Sequence, residues 1–260
     1  RNNMENVVLI TGASSGIGLE FSKIFAREGY NLLLIARNER KLFSLKKELE
    51  RDYKIKAEIL PKDLYKRHSA EEIYKFTKEK NIQVEILVNN AGFGDFGEFA
   101  SSNLKKQEEM IDVNVRALVK LTYFYLNDMK EKNRGKIMNV ASLAAFQPGP
   151  LMAVYYATKA FVLSFTEALS VELKDTKIKV SALCPGPTKT GFEEKANLES
   201  SGLFKNLKNA TAKEVAEYGY KKLMKGRVVA VHGFKNKTIA FGGKVFPRSI
   251  VRYVTYLIQK

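Results

Sequence analysis

Cysteine occurs once in the 260 residues, at Cys184, so no internal disulfide can form and a reducing, intracellular compartment is expected. With Pro185-Gly186-Pro187 behind it at what reads as a strand end, that thiol is expected to be a buried packing group and not a nucleophile. No apolar run approaches the ~20 residues of a membrane span, and the N-terminal stretch lacks a secretory-signal layout. A cytoplasmic location is the expectation, and residues before Met4 are set aside from the fold reading. Pro/Gly/Ser-rich linkers, internal repeats and low-complexity tracts are also missing, so 260 residues at 45% hydrophobic content read as one domain with one sizeable core. Acidic residues are scarce beside basic ones, 28 against 44, for a formal net charge of +16. Nucleic acid is the first partner such a balance suggests, but Lys and Arg are spread over every helical stretch, often beside Glu, with no basic stripe interleaved with aromatics. A solvated basic surface that favours polyanionic cofactors is expected instead. No metal is expected.

What is present is organised from Val7 to Glu28. The apolar run Val7-Val8-Leu9-Ile10 leads into Thr11-Gly12-Ala13-Ser14-Ser15-Gly16-Ile17-Gly18, then into Leu19, Phe21, Ile24 and Phe25 at helical spacing. This is a buried strand, a glycine turn and an amphipathic helix. The glycines let backbone approach a ligand, and the first helical amides offer N–H groups and a positive dipole end, a site suited to a pyrophosphate. Further apolar strands follow at 32–35, 57–60, 84–88, 136–140 and 178–183, with a seventh at 228–231, alternating with helical patterns that include two longer ones over 104–129 and one over 154–173. Strands apolar on both faces that alternate with helices predict an α/β fold, a doubly wound parallel sheet of about seven strands. Ligands then belong at the carboxyl ends of the strands.

The chemistry-bearing residues fall at those ends. Arg37, about 20 residues past the glycine turn, stands where an NAD site would place an acid. A cation there, with Ser14 and Ser15 across the turn and Asn38 beside it, suits a 2′-phosphate, so NADP is favoured over NAD; the alternative is an Arg that stacks on the adenine or points to solvent. Asp63-Leu64 could grip the adenine edge, or Asp63 could cap a helix. Asn90-Ala91-Gly92 provides small residues and amides against which a cofactor can lie, and Phe93 and Phe96 in the next loop read as an apolar substrate wall or as packing under the following helix. Ser142 ends the fifth strand. Tyr155 and Lys159 lie one helical turn apart on one face, where an ammonium can lower the pKa of a phenol and make it a usable acid/base group. Ser142 can hydrogen-bond a substrate carbonyl, and Asn114 can hold a water that connects Lys159 to solvent.

Taken together these residues resemble the short-chain dehydrogenase/reductase family, from Val7 to about Thr190. The carriers are Thr11-Gly12-x-x-x-Gly16-x-Gly18, Asn89-Asn90-Ala91-Gly92, Asn114, Ser142, Tyr155-x-x-x-Lys159 and Pro185-Gly186-Pro187-Thr188. The resemblance implies a seven-stranded Rossmann sheet. It implies Tyr155 as acid/base, Lys159 on the nicotinamide ribose, Ser142 orienting the substrate oxygen and Asn114 in the proton relay. Pro185, Gly186 and Thr188, with Thr190, would hold the carboxamide end of the nicotinamide. It also implies pairing into a homodimer or homotetramer through the 104–129 helices and the Tyr155 helix.

Residues 191–210 read as a substrate flap carrying Phe192, Leu198, Leu203 and Phe204. With Phe93, Phe96, Phe146, Leu151 and Met152 they predict a pocket for an apolar small molecule. The expected activity is NADP(H)-dependent hydride transfer between nicotinamide and a carbonyl or secondary alcohol; the alternatives are a nucleotide-binding sensor or scaffold without turnover and a basic nucleic-acid module. The 247–259 tail, with Ile250, Val251, Val254, Leu257 and Ile258 on one face and Arg248 and Arg252 flanking, predicts an amphipathic helix. It is expected to pack on its own domain or a second subunit, or to lie peripherally on an anionic membrane.

Overall fold

Side chains alternate across a strand, so Val8 and Ile10 face one way and Val7 and Leu9 the other, and all four are fully buried. A sheet apolar on both faces must be covered on both. The protein's structure, a computed structural model, describes residues 4–190, 196 and 209–259. Its first half runs β1 (Met4–Thr11), α1 (Gly16–Arg27), β2 (Asn31–Ala36), α2 (Glu39–Tyr53), β3 (Ala57–Pro61), α3 (Ser69–Glu79) and β4 (Ile82–Asn89). Then come α4 (Leu104–Ile111), a π-helical stretch (Asp112–Ala117), α5 (Leu118–Glu131), β5 (Gly135–Val140), α6 (Ala153–Glu172) and β6 (Ile178–Cys184). Two-residue strands β7 (Thr188–Lys189) and β8 (Ala210–Thr211) precede α7 (Ala212–Met224), β9 (Val229–Val231), α8 (Phe234–Val245) and α9 (Arg248–Gln259).

The main sheet has seven strands in the order β3-β2-β1-β4-β5-β6-β9, every pair parallel. This is the Rossmann-type doubly wound sheet. On one face Phe21 and Phe25 of α1, Leu42 and Leu45 of α2 and Val215 and Leu223 of α7 close over Val8 and Ile10. On the other, Ile73 of α3, Leu121 and Tyr125 of α5 and Leu169 of α6 close over Val7 and Leu9. The chain winds outward from β1 to β3, then returns to β4 on the other side of β1. The crevice at that reversal opens beyond the carboxyl ends of β1 and β4, where the glycine turn meets Asn89–Gly92.

Two features differ from the sequence expectation, and a third expectation is untested. The two helices of 104–129 form one continuous rod in which a π-helical stretch carries Asn114. Residues 234–245, which show no clear periodicity because two glycines and three lysines interrupt them, form α8. The proposed flap lies outside the described residues except for Ala196, Asn209 and Ala210. Among the described residues no helix is long and apolar enough to cross a membrane.

Candidate active site

The glycine turn forms a backbone cradle. Gly12 (φ 67°) and Gly16 (φ 55°) take the left-handed conformation that disfavours side chains. A Cβ at Gly18 would fall 2.3 Å from the Gly12 carbonyl oxygen and 2.5 Å from Asn90 Nδ2. The Asn90 amide donates to the carbonyls of Thr11 (3.0 Å) and Gly12 (3.3 Å), and Thr11 Oγ1 accepts from the backbone N–H of Asn90 and of Ala91, each at 3.0 Å. The ends of β1 and β4 are thereby tied together. Ser15, the N-cap of α1, makes no side-chain capping bond, so the first amides of that helix face the cleft with Ser14 and Ile17 beside them. The donor set and the closeness of bare backbone fit a pyrophosphate.

From this cradle a cleft of about 860 Å³ extends in both directions. At the β2 end Arg37 stands exposed on the rim. Asn38 lines the cleft, but its Oδ1 caps α2 by accepting from the Lys41 N–H at 2.9 Å. That capping role uses only Oδ1 and turns the helix start toward the cleft. Lys41 and Lys62 also line this end, and sequence reasoning missed both. The signal for Lys41 was the Asn-x-x-Lys spacing of the cap itself. Asp63 lines the cleft beside buried Leu64; α3 starts only at Ser69 with His68 as its N-cap, so Asp63 caps no helix there.

At the opposite end Ser142, Tyr155 and Lys159 converge on the same cleft. Ser142 Oγ accepts from the Ala144 N–H at 3.1 Å and hydrogen-bonds the Tyr155 hydroxyl. Burial pushes the Tyr155 phenol above its ordinary range, and the Ser142 bond only partly offsets this. In the cleft as it stands that burial outweighs the lowering expected from Lys159. The ammonium lies 5.7 Å from the Tyr155 ring centroid and donates to the Val140 carbonyl at 2.8 Å, and burial brings it down to about 8. Asn114 is buried, with Nδ2 donating to the Phe93 carbonyl (3.0 Å) and Thr158 Oγ1 (3.1 Å) and Oδ1 accepting from the Phe93 N–H (3.1 Å). Both amide donors are committed, so only the second lone pair of Oδ1 remains for a relay water. Gly92 is where the two groups meet: a Cβ there would lie 3.0 Å from Asn114 Oδ1 and 3.3 Å from Lys159 Nζ.

Pro185, Gly186, Thr188 and Thr190 complete this end. The Pro185 carbonyl accepts from the Leu143 N–H at 2.8 Å, and Thr188 Oγ1 donates to the Gly186 carbonyl at 2.8 Å. Of the expected substrate residues Phe93 and Met152 line the cleft. Phe96 does not; it packs one layer back against the cluster of Met152 and Tyr156. Phe146 is a second correction. Its ring is buried with Leu143, Val162 and Ala240 beneath α8, because Gly243 brings that helix onto the Phe146 backbone. Phe192 lies outside the described residues. Gln147 and Tyr156 line the cleft unforeseen. Cys184 is fully buried, its thiol pushed up to about 12 by desolvation.

The short chain dehydrogenase family model matches residues 6–201. The chain belongs to the short-chain dehydrogenase family. Among curated relatives of this short-chain dehydrogenase, 17-beta-hydroxysteroid dehydrogenase type 3 of Mus musculus is 36% identical over 187 residues, 70% of this chain and 60% of the mouse protein. Among solved structures, a 7beta-hydroxysteroid dehydrogenase superposes with a TM-score of 0.86 at 26% identity, covering 98% of each chain. A short-chain dehydrogenase from Sphingobium yanoikuyae in complex with NADPH gives 0.82 at 29% identity, covering 92% of this chain and 93% of that one.

Proposed function

We propose that this short-chain dehydrogenase is an NADP(H)-dependent oxidoreductase acting on the carbonyl or secondary alcohol of an apolar, hydroxysteroid-class small molecule. One observation carries the reading: a phenol, a serine hydroxyl and a buried ammonium converge on a cleft whose other end is a bare-backbone phosphate cradle. Bound nicotinamide would supply or accept the hydride. Ser142 Oγ holds the substrate oxygen, and Tyr155 Oη passes it a proton. A phenol that is protonated at neutral pH can donate the proton in carbonyl reduction, and its phenolate can take it back in alcohol oxidation. Lys159, an ammonium below about pH 8, stabilises the phenolate left behind. Arg37, Ser14, Lys41 and Lys62 at the far rim support a 2′-phosphate and hence NADP. Exposed Tyr123 of α5 and Phe161 of α6 support pairing through those helices.

The test is a panel of keto- and hydroxysteroids read by NADPH absorbance. Turnover is expected with wild type, and Tyr155→Phe is expected to lose on the order of 10²–10⁴-fold in kcat while still binding NADPH. If wild type and Tyr155→Phe both bind NADPH and neither turns over any carbonyl compound, the enzyme reading fails and a nucleotide sensor replaces it. Arg37→Asp is expected to reverse the preference for NADPH over NADH, and an unchanged preference refutes the 2′-phosphate role.

A further inference from the structure

The last two helices invert the usual use of an amphipathic stripe. α9 buries its polar Thr255 and Gln259 and leaves Ile250, Tyr253, Val254, Leu257 and Ile258 between 46% and 63% exposed. α8 buries Ala240 and exposes Phe234, Phe241 and Val245, at 82%, 67% and 60%. Those three share a helix face at i, i+7 and i+11, with Lys237 and Lys244 along one edge of it and Lys235 along the other. No acidic residue occurs from Tyr218 to the last residue, Lys260. Exposed aromatic and aliphatic side chains, clustered on adjacent helices and edged only by cations, make a surface larger in character than scattered apolar residues explain.

We propose that the α8–α9 surface docks on an anionic phospholipid bilayer, lying in the interface without crossing it. The charge pattern decides between occupants. In an isologous dimer through this face each copy would set its lysines and arginines against the same cations of the other, with no acid in the segment to pair them. A negatively charged headgroup layer pairs them and takes the apolar stripe into its acyl boundary. α9 also rests on the active-site wall, and α8 on the layer of side chains behind it. Lys244 Nζ sits over the Phe146 ring at 5.4 Å, and Gln259 Nε2 donates to Tyr156 Oη at 2.6 Å, next to Tyr155. Docking therefore holds the Tyr155 side of the cleft at the lipid surface, where an apolar substrate is concentrated.

Co-sedimentation of the full chain with vesicles of phosphatidylcholine, with and without phosphatidylserine, tests this. Pelleting is expected with phosphatidylserine vesicles at low salt, weakened by high salt and abolished in Phe241→Glu/Leu257→Glu. In Lys235→Glu/Lys237→Glu binding should fall on the order of fivefold per charge removed. All four substituted side chains are exposed, so the variants should keep wild-type circular dichroism and NADPH affinity, which separates loss of docking from loss of fold. Wild type staying in the supernatant with both vesicle types overturns the proposal. So does a wild-type dimer in sedimentation velocity that Phe241→Glu/Leu257→Glu dissociates while vesicles bind neither protein; that result assigns the face to a second copy.

Discussion

α1 and α9 are both twelve-residue amphipathic helices, and they put their apolar stripes to opposite use. α1 buries Phe21, Ile24 and Phe25 against the sheet; α9 turns its aliphatic face outward and seats an amide and a hydroxyl inside. Periodicity tells which residues share a face, but it does not tell which medium covers that face. α1 is bound between two strands of a sheet that needs covering, so its medium is fixed by connectivity. α9 follows another helix, α8, and an inward hydrogen bond from Gln259 to Tyr156 ties it to the domain.

Substitutions at matched positions sharpen the contrast. Phe25→Ala in α1 is expected to cost about 3–5 kcal/mol, from lost transfer energy plus a cavity beside Tyr30 and Tyr220. Denaturant melts should show it, and a change below ~1 kcal/mol would break the burial argument for that end. Next in size is Lys159, whose buried ammonium destabilises the fold. Its folded pKa, about 8, lies below the ordinary 10.5. Between those values the unfolded chain binds a proton the folded chain does not, so this group's contribution to stability rises with pH across the window. Lys159→Met is expected to stabilise by on the order of 2 kcal/mol at pH 7, with an advantage that shrinks toward pH 10.5, while activity is lost. A pH-independent difference would refute the desolvation assignment. Gln259→Leu removes the inward tie of α9 and should cost about 1 kcal/mol, read as earlier fraying of the C-terminus in hydrogen exchange. Leu257→Ala, on the exposed stripe, should stay within about 0.5 kcal/mol. A larger loss would mean that the protein itself covers that stripe.

The fold was legible because parallel strands carry continuous apolar runs and the glycine turn punctuates the first of them. Strand and helix boundaries moved by a few residues at most, as for β4, which begins at Ile82 and not Val84. Tyr155, Ser142 and Lys159 were legible as a group because helical spacing and strand ends fix where side chains emerge. The balance between burial and charge at Tyr155 was not, since spacing says nothing of how dry a pocket is. Phe146 was misplaced for a related reason: its neighbour is Gly243 on α8, nearly a hundred residues later and hidden by its own glycines. Lys41 and Lys62 went unremarked because cations are common in this chain, and only the turn of α2 shows which ones face the cleft.

β7 and β8 are two residues each, yet Thr188 pairs with Ala210 and Lys189 with Thr211. The ladder works as a clasp: both ends of the intervening stretch are fastened to each other before the rest of the molecule is reached. Whatever sequence is threaded between them is joined to the scaffold at a fixed pair of points. Exchange of that stretch for one of another length or composition should leave the catalytic wall and the phosphate cradle in place, because both lie outside it.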